Sequence, residues 1–162
     1  MDKSGGIYIS FDKNQSGYFD KYRTVIKEQF NRSVSHRIKN GQIEAKFTDK
    51  KLAEYLVNTF GKGAANKRIP DHIKRISREN QLALLLGYLD SDGCVYNNKR
   101  NGSSIEYVSI NQELLEDVQD LCFAVGIVGS ITKMRNAKKA FICGRLVNQN
   151  ECFHLRIGQL GS

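Results

Sequence analysis

No stretch of this chain approaches the roughly 18 consecutive apolar residues needed to cross a bilayer. The opening Met1-Asp2-Lys3-Ser4-Gly5-Gly6 lacks the apolar segment of a signal peptide. No membrane partner is expected, and a cytoplasmic or other intracellular location is. The four cysteines, Cys94, Cys122, Cys143 and Cys152, contain no C-x-x-C pair. They read as reduced thiols, with Cys94, Cys122 and Cys143 in apolar surroundings; a zinc set from Cys143, Cys152 and His154 is the alternative, without ligand-pair spacing. Acids are in deficit, 17 against 25 Lys plus Arg, for a net charge of +8. Such an excess favours encounter with polyanions without identifying one. Proline occurs once, at Pro70, behind Gly61-Lys62-Gly63-Ala64-Ala65-Asn66, which marks a connector.

On either side of that connector the chain repeats itself. In the first part Ile7–Phe11 reads as a strand. Phe19, Tyr22, Ile26 and Phe30 then recur at helical spacing. Residues 33–38 and 42–47 alternate in type about Lys39-Asn40-Gly41, a hairpin with an Asn-Gly turn. Asp49 caps a helix that stops at Gly61. In the second part Tyr107-Val108-Ser109 echoes Tyr8-Ile9-Ser10, a helix runs from Glu113 to Val125, and Ser130–Lys133 and Cys152–Ile157 supply strands. The pattern predicts an α+β protein of two similar halves, residues 1–66 and 67–162.

Only the second half is preceded by a further helix, from Asn80 to Leu89, running out into Asp-Ser-Asp-Gly. Leucines on nearly every side predict burial all round. Gly87 in its middle costs about 1 kcal/mol in helix propensity, which a closely approaching backbone would explain. Asp90 and Asp92 then meet the negative end of the helix dipole, an unfavourable place for an anion without a nearby cation. Gly93 supplies a left-handed cap. An Asx turn is the competing account of both acids; it suits Asp90, a structural residue, while Asp92 is read as functional.

Leu85–Gly93, LLGYLDSDG, resembles the signature of the LAGLIDADG homing endonucleases. Lys67-Arg68-Ile69-Pro70, Ile73 and Gln81 look like the junction between the repeats of the intein-associated, DOD-type members, and the signal is strongest from Lys67 to Ile131. The resemblance implies two αββαββα-type repeats forming a saddle-shaped β-surface, here truncated at both ends, with the motif at 84–93. It implies a site-specific endonuclease for double-stranded DNA that hydrolyses phosphodiesters with Mg²⁺ or Mn²⁺. Gly87 becomes a helix-packing residue, Asp92 a metal ligand and catalytic acid, and the Ser91 carbonyl a neighbour of the ion. Basic residues at the end of each last strand, Lys46 and Arg156, would stand near the attacking water; solvated strand charges are the alternative. DNA contacts would come from Ser35, Arg37, Lys39, Gln42, Lys99, Arg100, Lys133, Arg135, Lys138 and Lys139.

The chain departs from that pattern in showing one motif acid where a single-chain enzyme needs two. The register of the repeats puts the missing helix before Met1, and Asp2 is a poor substitute. That helix would lie on a separate polypeptide, be lost from a decayed element or fall outside this segment, with a homodimer built on Gly87 helices as a further alternative. No terminal Cys or Ser nucleophile and no closing His-Asn pair supports splicing. A catalytically incomplete DNA- or RNA-binding module, like a maturase or a decayed endonuclease, is the alternative function.

Overall fold

The computed structural model describes residues 5–98, 102–142 and 145–158 and divides into two compact units between Asn58 and Thr59. The first unit opens with β1 (Gly6–Asp12), α1 (Ser16–Phe30), β2 (Ser35–Lys39) and β3 (Gln42–Thr48). Its antiparallel sheet runs in the order β1-β3-β2. The hairpin forms where Asn40 and Gly41 both take positive φ, 50° and 77°, so that Lys39 pairs with Gln42. Two left-handed residues in succession match the twist of the strands they join. Alternation then buries Ile43, Ala45 and Phe47; the first two cluster with Phe19 of α1, and the Phe47 ring lies 6.3 Å from Tyr22 and 6.4 Å from Phe30 of the same helix. Asp49 caps α2 (Lys50–Phe60), its Oδ1 accepting the Leu52 N–H at 3.0 Å. That bond, helped by Arg32, holds the Asp49 carboxyl below its ordinary range.

The second unit contains α3 (Asp71–Lys74), α4 (Arg78–Asp92), β4 (Gly93–Asn98), β5 (Gly102–Ser109), α5 (Gln112–Ala124), β6 (Ser130–Arg135), β7 (Lys138–Ile142), β8 (Arg145–Gln149) and β9 (Cys152–Ile157). Strands β4-β5-β9-β6 form one antiparallel sheet, while among the described residues β7 and β8 pair only with each other. Leu115, Val118, Leu121, Cys122 and Leu155 are wholly enclosed, with Leu85 and Tyr107 completing the core. Burial raises the Cys122 thiol to about 11 and the Tyr107 phenol to about 12.

One buried anion fastens the connector to this core. Asp117, 2% exposed, accepts the Ile69 N–H at 2.8 Å, Arg68 at 2.7 and 3.1 Å, and Lys74 at 3.0 Å. Burial pushes its carboxyl up, but the bonds from Arg68, Ile69 and Lys74 outweigh that and leave it below the usual range. Asn111 donates to the Lys67 carbonyl at 2.7 Å and Gln81 to that of Lys74 at 2.7 Å. The segment from Lys67 to Lys74 is thereby fixed against α5 and α4.

Several expectations need correction. Helix α4 starts two residues earlier than expected, capped by Ser77, and continues through Asp92, so neither Asp90 nor Asp92 sits in an Asx turn. It is not buried all round: Ala83, Leu86, Gly87 and Asp90, one face at helical spacing, are exposed, Leu86 to 57%. Gly93 is extended, at φ −97°, with its N–H bonded to the Leu89 carbonyl. Glycine is needed there for room, since a Cβ would lie 2.7 Å from both the Cα and the carbonyl oxygen of Leu89 and 2.5 Å from its Cδ1. Cys94 is exposed and Cys152 buried, while Cys143 lies outside the described residues.

Candidate functional site

Asp92 is the last residue of α4, followed at once by β4. Its side chain is exposed and lines two cavities of the second unit. One, of about 340 Å³, runs along α4 beside Ile69, Leu84, Gly87 and Leu114. The other, of about 310 Å³, is bounded by Ala64, Tyr88, Val108, Ser109 and Cys152. Lys67 lines both. The anion at the helix C-terminus thus shares its surroundings with a cation whose backbone Asn111 holds in place. Sequence reasoning missed Lys67, although it directly precedes the Arg-Ile-Pro that drew attention. Tyr88 supports this end of α4 through its hydroxyl, which donates to the Val108 carbonyl at 3.1 Å. Burial raises its pKa, and the Asp92 charge adds to the rise.

The neighbouring motif residues are placed differently. Ser91 Oγ donates to the Tyr88 carbonyl at 3.1 Å. Asp90 points out on the exposed face with Gly87. An added Cβ at Gly87 would meet nothing within 4 Å, so among the described residues no backbone packs against it.

The basic residues of the last strands occupy equivalent register positions with unequal neighbours. Lys46 pairs with Tyr8 across β1 and β3, its Nζ 5.1 Å from the ring centroid. Arg156 pairs with Glu106 across β5 and β9, its Nε 3.1 Å from a carboxylate that also faces His154 Nδ1 at 3.3 Å. This register makes Tyr8 the counterpart of Glu106 and Ile9 that of Tyr107, one residue away from the expected alignment.

In the first unit a cleft of about 370 Å³ gathers Ser35, His36, Arg37, Glu44 and Lys46. Arg37 is paired with Glu44, and the Ser35 hydroxyl donates to the Lys46 carbonyl at 3.1 Å. Lys39 and Gln42 are exposed at the turn. In the second unit Lys133 pairs with Glu151 at 2.7 Å and Arg135 reaches the Asn150 carbonyl at 3.4 Å. Lys138 and Lys139 are exposed on β7, and Lys99 and Arg100 lie outside the described residues. Among the described residues there is no cluster of three His, Cys, Asp or Glu side chains able to hold a metal, and no helix long and apolar enough to cross a membrane.

Comparison with known proteins agrees with this layout. Residues 79–157 match the family model of the LAGLIDADG-like domain. It is 37% identical over 78 residues to ribonucleoside-diphosphate reductase NrdEB subunit alpha of Bacillus subtilis (strain 168), covering 47% of this chain and 7% of that protein. It is 29% identical over 133 residues to ATP-dependent DNA helicase Hel308 of Thermococcus kodakarensis, covering 80% of this chain and 12% of the helicase. The chain therefore spans a small fraction of the curated relatives it matches.

Its fold is that of the homing endonuclease I-DmoI. The structure of that protein in complex with DNA and Ca superposes with a TM-score of 0.65 at 14% identity, covering 95% of this chain and 69% of the other. The N-terminal LAGLIDADG domain of DUF199/WhiA gives a TM-score of 0.53 at 14% identity, covering 98% and 67%.

Proposed function

We propose that this chain is the DNA-cutting part of an intein-associated, DOD-type LAGLIDADG homing endonuclease, with Asp92 as its metal-binding acid. The observation that carries the reading is the exposed Asp92 carboxylate at the end of the motif helix, opening into two cavities that share Lys67. Matches confined to short stretches of a reductase subunit and a helicase support an element inserted into unrelated hosts.

The residues fit one hard divalent cation in part. The Asp92 carboxylate and the Ser91 carbonyl would hold Mg²⁺ or Mn²⁺, both hard cations that take oxygen ligands. When bound, the ion supplies Lewis-acid stabilisation of charge developing on a phosphate oxygen. Lys67 offsets the clustered negative charge of Asp92 and an approaching phosphate. Lys46 and Arg156 stand at the ends of their strands to orient water and phosphate, and Glu106 fixes Arg156 by its Nε edge. The exposed Ala83–Leu86–Gly87–Asp90 face of α4 is the seat of a second motif helix.

The test is a nicking assay on a plasmid library with randomised inserts, with Mg²⁺ and Mn²⁺. The wild-type chain should nick a subset of sequences. Asp92→Asn should bind them yet cut at least about 100-fold more slowly, because it loses several kcal/mol of charge stabilisation. A second reading, a DNA- or RNA-binding module without cleavage, is favoured by the single motif acid and by the likeness to the WhiA domain. Sequence-selective binding with no nicking under either metal would select it.

A further inference from the structure

Glu106 of β5 is 6% exposed, and a carboxylate so enclosed is retained only with partners. Its two oxygens serve different side chains of β9. One lies 3.1 Å from Nε of Arg156, its partner in the register, and the other 3.3 Å from Nδ1 of His154. An ionised carboxylate only accepts, so a neutral His154 carries its proton on Nδ1 and donates to Glu106. Arg156 commits its Nε to the same carboxylate while its side chain stays 56% exposed. Buried anion, imidazole and guanidinium thus form one hydrogen-bonded set on one face of the sheet.

The first unit fills the same three places without an imidazole. Tyr8 stands where Glu106 does, Glu44 where His154 does and Lys46 where Arg156 does, because Lys46 joins Tyr8 to Ser35 as Arg156 joins Glu106 to Ser130. Histidine is the side chain that ordinarily changes charge between about pH 5 and 8. The other groups turned towards the set do not compete in that interval. Cys94 lies opposite Glu106 on β4, with Tyr96 two residues further along the same face. Cys152 precedes His154 on β9, opposite Arg135 of β6, and Val108, Ser130 and Thr132 carry no charge. Ordinary thiols, phenols and guanidinium groups titrate above about pH 8.

We propose that His154 and Glu106 are positioning residues that make the second unit's hold on phosphate proton-linked. While His154 is neutral, Glu106 cancels the Arg156 charge and the set sums to zero. Once His154 is protonated, two cations share the carboxylate, the set carries one positive charge, and the Arg156 guanidinium is released to a phosphate. The assignment rests on the DNA-binding reading above and adds to it a pH dependence seated at one imidazole. By reciprocity, bound duplex favours the protonated ring. The added affinity is therefore complete at low pH and lost as pH rises through the titration of the complex.

The test uses the full chain and a duplex that the wild type itself enriches from a randomised pool. Binding is measured by fluorescence anisotropy between about pH 5.5 and 7.5, where histidine titrates, across a salt series. The wild type should bind roughly fivefold more tightly at the acid end, with a salt slope steeper by about one. His154→Gln, which keeps an N–H donor for Glu106, should lose most of that gain, whereas His36→Gln and His72→Gln should keep it. Glu106→Gln should bind more tightly than wild type at the neutral end and gain less on acidification. A response that survives in His154→Gln, vanishes in His36→Gln or His72→Gln, or stays whole in Glu106→Gln overturns the assignment and leaves DNA binding standing. Nitrogen-15 spectra of the protein without DNA supply a second readout. The neutral His154 ring should be protonated at Nδ1 in the wild type and lose that preference in Glu106→Gln; a wild-type ring protonated at Nε2 overturns the assignment as well. If the wild type enriches no duplex at any pH, the DNA-binding reading falls, and the assignment with it. Unchanged far-ultraviolet circular dichroism keeps each variant interpretable.

Discussion

Gly93 illustrates how a residue can be identified correctly for the wrong reason. Its place after Asp92 marked it as a left-handed helix cap, and helices do often end that way. Its backbone is instead extended, a conformation open to any residue, and what forbids a side chain is Leu89 at 2.5 Å. The distinction has a consequence. Gly93→Ala and Gly93→Asn should each cost about 2 kcal/mol in urea unfolding through overpacking, because the new Cβ meets the Leu89 backbone as well as its side chain. A left-handed requirement would instead spare Asn, which tolerates that conformation. Gly87 differs from Gly93: the space around it is open, consistent with a helix that waits for a partner on that face.

At the scale of elements, the connector and α5 are held by Asp117, with Arg68 and Lys74 as its counterions. Those partners depress the carboxyl of Asp117 in the folded state. A depressed carboxyl contributes stability that is complete above the ordinary carboxylate pKa of about 3.9 and is lost as pH falls through the folded value. The second unit should therefore lose stability on acidification below about pH 4. Asp117→Asn should flatten that loss and, at neutral pH, lower stability by about 2 kcal/mol, because a neutral amide with one acceptor oxygen replaces a buried carboxylate that accepts from Arg68, Ile69 and Lys74. Chemical denaturation at several pH values checks both.

Sequence patterning recovered much at this scale, and physics explains where it stopped. Local rules sufficed for the Asn40-Gly41 hairpin, for α5 with its one-sided Leu115, Val118, Leu121 and Cys122, and for Asp49 as a cap. The Asp117 clamp joins residues nearly fifty positions apart, and no periodicity reports such a pair. The repeat alignment slipped by one because Tyr8 and Tyr107 are chemically alike, whereas register is decided by which side chains face the core. The β7–β8 ribbon was seen only as scattered lysines, since its apolar residues follow no core-forming alternation. Burial around α4 was overestimated because an exposed Leu86 looks no different in sequence from an enclosed Leu85.

For the whole molecule, a LAGLIDADG fold with a basic excess, an open motif helix and an acid at its end make one coherent object if the acid serves a cation beside a phosphate. Asp92 supplies a carboxylate there, and Lys67 sits in the same cavities. The most direct measurement is the anomalous scattering of Mn²⁺ in crystals of the chain bound to an enriched duplex. The account predicts a manganese peak about 2.1 Å from an Asp92 carboxylate oxygen and in contact with a backbone phosphate, and its disappearance in Asp92→Asn. Bound duplex with manganese absent from Asp92, or manganese that persists in the variant, would contradict it.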